Sequence, residues 1–310
     1  MTDALRFPQF DAEFSSRNTQ KEWQRISGLR DHPRYLDGVA LYDDIVPALF
    51  ANNIVLNKAV TEYSRFQTIV FTLHLYDTRI PDQPNTGLTL SRLQKLCIAH
   101  DLASAGCVAA FVGLMMVAGY LARQPSEKDR RVVQLKPTPK FVAIVEGWNY
   151  RVLQSIDAII PDDRLAQAHE AHPRFGWDMR EISTQNLLSG WKPLGPFPEA
   201  LHFVSRHGGW MLLCRCVAAM LAQDRTRISP VSVDLAAFGR SFGVSRTHLR
   251  RSLEGAYDNG LLDAPPRNGS HILMSPKLFA SCMAAQASEL SNYRLCALAA
   301  KTSLGLVPAG

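Results

Sequence analysis

The sequence predicts a mainly α-helical protein with small β wings, in which two similar units are joined in one chain. Three observations lead to this fold class. The 310 residues are enough for two domains, and the apolar fraction of 46% is that of an ordinary globular protein. A pattern of two helices, a turn and a short hairpin occurs once in each half. We place the first unit at residues 1–160, a connector at 161–200 and the second unit at 201–310.

The pattern is clearest in residues 241–253, Ser-Phe-Gly-Val-Ser-Arg-Thr-His-Leu-Arg-Arg-Ser-Leu. Gly243 allows a tight turn between two helices, and Ser245 is a typical N-cap for the second one. On a 3.6-residue period this helix has one apolar face and one polar face. The predicted apolar face consists of Leu249, Leu253, Ala256 and Tyr257.

The flanking residues complete the second unit. The preceding helix has an apolar stripe, and Gly260 ends the second helix. Residues 265–271 form a turn-rich tip, and residues 272–274 are predicted to be a short strand. Two helices followed by a hairpin in this order are typical of a winged helix-turn-helix. The stripe on the first helix consists of Val233, Leu235, Ala236 and Phe238.

The charge of this segment indicates double-stranded DNA as the partner. Four arginines and no acidic residue lie between residues 240 and 251, and the whole chain has a net charge of +6. Guanidinium groups suit both phosphates and guanine edges. The predicted DNA-binding residues of the second unit are Ser245, Arg246, Thr247, His248, Arg250, Arg251, Arg267 and Asn268.

The first half repeats the pattern with few identities. Residues 93–96 align with residues 235–238, and residues 101–104 align with residues 243–246. Residues 103–118 are therefore predicted to be the second helix of the first unit. A glycine, a hairpin and a helix that begins after a proline follow in both copies. These last helices are predicted at residues 141–159 and 278–300.

The uncharged stretch from Leu102 to Ala122 allows a second interpretation, because it has the length of a bilayer span. Its three glycines and its position directly before a hairpin favour a helix pair instead. The six cysteines lack the spacing of an extracellular disulfide framework. We therefore expect a cytoplasmic protein and no membrane partner.

Residues 118–139 resemble the wing of MarR-type transcriptional regulators. The sequence Ala-Gly-Tyr-Leu-Ala-Arg-Gln-Pro-Ser-Glu-Lys-Asp-Arg-Arg-Val-Val-Gln-Leu-Lys-Pro-Thr-Pro contains glycine-aromatic-leucine, an Asp-x-Arg tip, a hydrophobic strand and a threonine-proline helix entry in that order. The resemblance implies that Arg131 enters the minor groove with Asp129 as its supporting carboxylate. It also implies interlocking helices near residues 41–62 and 141–159, and a small-molecule effector, with aromatic compounds as candidates, between the helical and DNA-binding layers.

This chain departs from that family in two ways. It contains two units, so the two-fold dimer is expected within one polypeptide as a pseudo-dimer, either as a monomer or as a homo-oligomer of pseudo-dimers. The first recognition helix, residues 103–118, has no Lys or Arg. We expect the first unit to bind mainly through its wing and the second mainly through its helix. The predicted DNA-binding residues of the first unit are Ser104, Lys128, Arg130 and Arg131, with Asp129 in support.

The remaining segments are predicted from weaker signals. The connector is rich in Pro and Gly, and short helices are expected at residues 162–171 and 179–188. Residues 201–222 are predicted to be one long apolar helix. The first 35 residues are weakly periodic, so they are expected to be loose in part or to drape over the helices.

Signals for catalysis are weak. We find no dinucleotide motif G-x-G-x-x-G, no P-loop and no H-E-x-x-H, and we expect no hydrolase nucleophile elbow. His169 and His172 lie three residues apart beside Glu170, which we interpret as a solvated helix end rather than a metal site. We therefore expect no enzyme activity, no cofactor and no metal.

The sequence thus predicts a transcription regulator that binds DNA as a single-chain pseudo-dimer with unequal recognition of two half-sites. Two alternatives remain open. In one, the uncharged first helix docks another protein and only the second unit contacts DNA. In the other, residues 102–122 tether the regulator to a membrane.

Overall fold

The computed structural model describes residues 5–80, 83, 86–125, 133–266 and 271–306. It is mainly helical and contains two small antiparallel strand pairs, which confirms the predicted mainly α class with small β elements. Within the described residues, no helix is long and apolar enough to cross a membrane. Residues 102–122 are divided among a turn, a 13-residue helix and a strand.

The N-terminal residues are helical and packed. Thr19 and Glu22 form a capping box that starts α2, because each side chain bonds the backbone N–H of the other residue. Of the two expectations for the first 35 residues, draping over the helices is confirmed, since α2 packs on the last helix of the chain. The two helices are α1 (Asp11–Ser16) and α2 (Gln20–Arg30).

Four long helices form the centre of the fold. They are α3 (Tyr35–Phe50), α8 (Pro139–Ile159), α12 (Gly209–Gln223) and α15 (Pro276–Ser303). Helix α3 packs against α8 and α12, while α15 packs against α2 and α8. Gly38 allows the contact of α3 with α8, because a Cβ there would lie 2.3 Å from Ile159 Cγ1. The helices predicted at residues 141–159 and 278–300 are confirmed.

The connector contains the expected short helices, which lie against α8 and α15. The predicted single helix over residues 201–222 is wrong. The chain turns at residues 205–208, where Gly208 has φ +74°. A Cβ on Gly209 would lie 1.9 Å from the Phe203 carbonyl oxygen, so only glycine permits this turn. The short helices are α9 (Leu165–Ala171), α10 (Phe175–Leu188) and α11 (Pro198–Val204).

A helix pair and a hairpin, which we call the first head, follow α5 (Tyr63–Asp77). Thr89 and Ser104 cap its two helices, since each hydroxyl accepts a bond from a backbone N–H of the first turn. The two strands pair from Leu121 opposite Pro137 to Pro125 opposite Val133. The elements are α6 (Leu90–Ala99), α7 (Ala105–Val117), β1 (Leu121–Pro125) and β2 (Val133–Pro137).

The second head also has two helices followed by a strand, but it has a further short strand before its first helix, and an isolated bridge between Leu262 and Met274 lies where the first head has its hairpin pairing. Val231, before the first helix of this head, pairs with Ile272 after the second helix. The corresponding contact in the first head is the backbone N–H of Leu135, which donates to Leu88 O. Val233, predicted on the first helix, precedes the N-cap Asp234 instead. The elements are β3 (Val231–Ser232), α13 (Leu235–Phe242), α14 (Arg246–Asp258) and β4 (His271–Ile272).

A short segment lies between the two heads. We call residues 52–61 the bridging segment; it contains α4 (Ile54–Val60), which contacts both α7 and α13. The resemblance implied an interlocking helix over residues 41–62. The chain instead leaves the helix after Phe50, and Asn52 adopts φ +65°. Its N–H donates to Ser241 O at 2.8 Å, so the interruption is stabilised by the second head.

Candidate nucleic-acid interface

The turn before α14 is built as the sequence predicts. Gly243 adopts φ +68°, a conformation that glycine favours. Ser245 caps α14 by accepting a bond from the backbone N–H of His248 at 3.2 Å. A Cβ on Gly239 would lie 2.4 Å from Val244 O, so α13 and the turn approach each other closely. The start of α14 is therefore held firmly against α13.

One face of α14 anchors the helix. Leu249, Leu253 and Ala256 are buried, as predicted. Tyr257 was predicted on this face but is 41% exposed, because it lies about 100° round the helix from Ala256. Ser252 is buried instead, and its carbonyl oxygen lies 3.1 Å from Nε2 of His202 on α11. Burial lowers the pKa of His202.

The opposite face of α14 is exposed and basic. The predicted contact residues of α14 and its cap therefore share one surface, which we call the basic face. Arg250 forms an exposed pair with Glu254 at 3.4 Å, and the two side chains are 62% and 51% exposed. Such a pair is worth at most about 1 kcal/mol, so a phosphate could displace the carboxylate. The basic face consists of Ser245, Arg246, Thr247, His248, Arg250 and Arg251, with Arg240 of α13 also exposed.

The positive charge of the basic face and of Arg240 acts on the carboxylate that caps the start of α13. Asp234 caps α13 by accepting bonds from the backbone N–H groups of Ala237 and Ala236. The bond from Ala237 contributes most to lowering the pKa of Asp234, and the positive charges of Arg240 and Arg246 lower it further. The Asp234 carboxylate is therefore already engaged by backbone donors.

The corresponding helix of the first head has an exposed face without charge. Ser104 is exposed, and its hydroxyl caps α7 by accepting from the N–H of Cys107 at 3.3 Å. Val117 is 89% exposed. This face can touch apolar groups but cannot form charged contacts with phosphates. Its other exposed residues are Ala105, Gly106, Cys107, Ala110 and Gly113.

Three exposed basic residues on the hairpin of the first head and beside it were not among the contacts that the sequence analysis predicted for this wing. Arg123 of β1 and Lys136 of β2 are exposed. Lys140 at the start of α8 lies 4.5 Å from the Tyr120 ring centre. Strand alternation does not single out Arg123 and Lys136, because Arg123 pairs with the buried Leu135 and Lys136 pairs with Ala122 on the other face of the hairpin. The remaining predicted residues, Lys128, Asp129, Arg130, Arg131, Arg267 and Asn268, lie outside the described residues.

Both heads contact the bridging segment through polar groups. Asn53 Nδ2 donates to Tyr120 Oη of the first head at 3.0 Å. Asn57 Nδ2 lies 3.4 Å from Ser241 O of the second head. Thr61 Oγ1 lies 3.0 Å from His207 Nδ1 and accepts a bond from the Gly208 N–H at 3.2 Å.

Two sequence expectations about chemistry need correction. Residues 239–243, Gly-Arg-Ser-Phe-Gly, do match the G-x-S-x-G pattern of a nucleophile elbow. The serine of such an elbow lies on a strand-to-helix turn, whereas Ser241 lies within α13, 3.4 Å from Asn52 Oδ1. His169 is not a solvated helix end. Its side chain is 11% exposed and pairs with Glu146 at 2.8 Å.

In the part of the chain that the structure describes, no group of three His, Cys, Asp or Glu side chains could hold a metal ion. All six cysteines carry free thiols, and Cys107 alone among them is exposed. Among the described residues, those of the basic face form one exposed surface with a common charge.

Comparisons with protein-family models, with curated proteins and with solved structures found no match to this chain. The resemblance to MarR-type regulators therefore stays a prediction.

Proposed function

We propose that the protein is a sequence-specific, double-stranded DNA-binding regulator of transcription. In this proposal the two heads are winged helix-turn-helix units, and one chain acts as a pseudo-dimer. The observation that carries the proposal is the basic face, which projects from a helix that is capped at Ser245 and anchored by Leu249 and Leu253. A rigid helix with exposed arginines in its first turns is suited to the major groove.

The likeness between the heads supports the pseudo-dimer. Each head has two helices, an N-cap serine on the second helix, and a hairpin that bonds to a residue before the first helix. Both lead into a long central helix, α8 or α15, that begins with proline after a capping residue. Two groove-binding units on one bundle suit an operator with two half-sites.

The difference between the heads supports unequal recognition. The exposed face of α7 is uncharged, whereas α14 carries three exposed arginines. In the first head the described positive charge lies on the hairpin, at Arg123 and Lys136, and on α6, at Arg92 and the exposed Lys95. We propose that the second head reads bases through α14, and that the first head contributes mainly backbone contacts through its wing.

Selection of bound sequences from a random duplex library by the full chain tests this proposal. The expected result is a consensus with one strongly specified half-site and one weak half-site. Affinity for this consensus should fall steeply as salt rises, because phosphate contacts release counterions. Recovery of no consensus, together with binding that is equal for all duplexes, would contradict a sequence-specific regulator.

A second candidate function is protein docking through the first head, which the uncharged exposed face of α7 favours. In that case only the second head contacts DNA. Nuclease protection separates the two proposals, since the pseudo-dimer protects two half-sites and the docking protein protects one.

A further inference from the structure

An aromatic cavity lies inside the helical bundle, away from the basic face. It has a volume of about 90 Å³ and lies among α3, α5, α8, α10, α12 and α15. Seven aromatic side chains line it: two phenylalanines, two tyrosines and the three tryptophans Trp148, Trp191 and Trp210. We call this space the aromatic cavity. So many rings around one small space offer several π faces to a single ligand.

The rings are held in fixed positions. The centre of the Trp148 ring lies 5.5 Å from that of Phe50 and 5.3 Å from that of Phe66. Trp148 Nε1 donates to Tyr293 Oη at 2.9 Å, and Trp210 Nε1 donates to Tyr42 Oη at 3.2 Å. The cavity walls are therefore preorganised, which reduces the entropy cost of binding a ligand.

The charge of the lining is negative. No Lys, Arg or His is among the residues that line the aromatic cavity, whereas Glu62 and Glu289 both are. Glu62 is neutralised by Arg65, whose Nε lies 3.5 Å from its carboxylate. Glu289 accepts a bond from Tyr42 Oη at 3.2 Å, and no basic side chain in the described part of the chain pairs with it. Its carboxylate is thus the uncompensated charge of the site.

A smaller cavity of about 60 Å³ shares Phe66, Trp148 and Tyr293 with the first. Its lining includes Arg180 and His74, and the carboxylates of Asp77 and Glu181 pair with them. The lining carboxylates of the smaller cavity are thus already engaged, so a cationic group suits the aromatic cavity better, and an uncharged substituent could extend past the shared rings.

We propose that the aromatic cavity binds a small organic ammonium cation, held by the faces of its aromatic rings and by the Glu289 carboxylate. Aromatic faces attract cations through the ring quadrupole, most strongly when water is excluded. The volume of the cavity suits a compact head such as a trimethylammonium group. An aromatic carboxylate would instead meet the negative charge of Glu289.

The protonation of Glu289 gives the site a pH dependence. Burial raises the pKa of Glu289 to about 7, against a lowering by the Tyr42 hydrogen bond. A cation binds the ionised carboxylate, so affinity should increase with pH across this value. The titratable groups that face Glu289 are acidic or weakly acidic: Tyr42 and Asp43 of α3, Glu62, Tyr63 of α5, Cys214 of α12 and Tyr293 of α15 itself.

Calorimetric titration of the full chain with choline chloride tests the proposal, with tryptophan fluorescence as a second readout. The uncharged isostere 3,3-dimethylbutan-1-ol is the matched ligand control, since it has the same shape without the charge. We expect choline to bind at least tenfold more tightly than the alcohol at pH 8. Choline affinity should fall about tenfold at pH 6, because roughly one Glu289 in ten is then ionised.

Glu289→Gln keeps the size of the side chain; it should abolish the pH dependence and reduce the preference for the cation to the part that the aromatic faces supply. Glu254→Gln removes an exposed carboxylate on α14 and should change neither. Equal affinity for choline and the alcohol, no binding of choline, or an unchanged preference in a folded Glu289→Gln variant would each overturn the proposal. The titration contains no DNA, so its result is separate from the success or failure of the proposed regulatory function.

Discussion

Glu289 should make the stability of this protein depend on pH in a direction opposite to that of most carboxylates. The half-buried group lies on α15 beside Tyr42 of α3, where desolvation raises its pKa to about 7 from an ordinary value of 4.5. A carboxyl group with a raised folded pKa binds its proton more tightly in the folded chain than in the unfolded chain. Its contribution to stability is complete below the unfolded pKa and is lost as pH rises through the folded pKa.

The magnitude follows from the two pKa values. Integration of the linkage relation between pH 5.5 and pH 8 gives a loss of about 2 kcal/mol from this one group. Asp43 adds a loss of the same sign, since burial also raises its pKa well above the ordinary value. The wild-type chain should therefore be more stable at pH 5.5 than at pH 8, as far as these two groups are concerned.

Urea unfolding of the wild type and of Glu289→Gln at both pH values measures this contribution. Glutamine cannot ionise, so the variant should lose about 2 kcal/mol less than the wild type between pH 5.5 and pH 8. The wild-type minus variant difference cancels the contributions of groups that do not interact with Glu289, whereas Asp43 adds to it because the Glu289 charge helps to raise the Asp43 pKa. A difference near zero would refute the reasoning, because Glu289 would then titrate alike in the folded and unfolded chains.

Three further predictions concern the second head. Arg250→Ala should weaken binding to the selected duplex by about 1–3 kcal/mol in a titration at fixed salt; Arg174→Ala, which also removes an exposed arginine of an (i, i+4) pair, should not, and equal effects would count against α14. Leu253→Ala should destabilise the chain by about 2–5 kcal/mol in urea unfolding, because this side chain is fully buried; a loss below 1 kcal/mol would contradict the packing. Gly243→Ala and Gly260→Ala both place alanine at φ +68°, but only at Gly243 would the Cβ meet the bridging segment, 2.6 Å from Ile54 Cγ2. The Gly243→Ala variant should therefore have the lower melting temperature, and similar melting temperatures would contradict a tight contact at Gly243.

Local signals allowed much of the fold to be predicted. Ser245 starts its helix as the sequence indicates, because an N-cap depends on a hydroxyl and the next three residues. Ser104 caps α7 by the same local rule, although the sequence analysis placed it inside a helix over residues 103–118 as a DNA contact. The uncharged stretch after Leu102 could be assigned to a helix pair rather than a span because the repeat fixed its place. The basic face was predictable for the same reason: arginine spacing along one helix determines which side chains share a surface.

Long-range contacts account for what the sequence did not indicate. Helical periodicity continues through residues 201–222, but the chain turns at Gly208 because α12 packs against α3. The interruption after Phe50 is stabilised by a carbonyl nearly 190 residues later, at Ser241. The aromatic cavity combines Tyr63, Trp148 and Glu289 with other residues from distant parts of the chain, so no window of sequence contains its pattern.

The bridging segment has a consequence for how the two heads move. It donates to Ser241 of one head and to Tyr120 of the other, and its last residue, Thr61, lines the aromatic cavity. A displacement of the bridging segment must therefore break hydrogen bonds to one head or move both heads together. The motions of the two heads are thus coupled through this one segment.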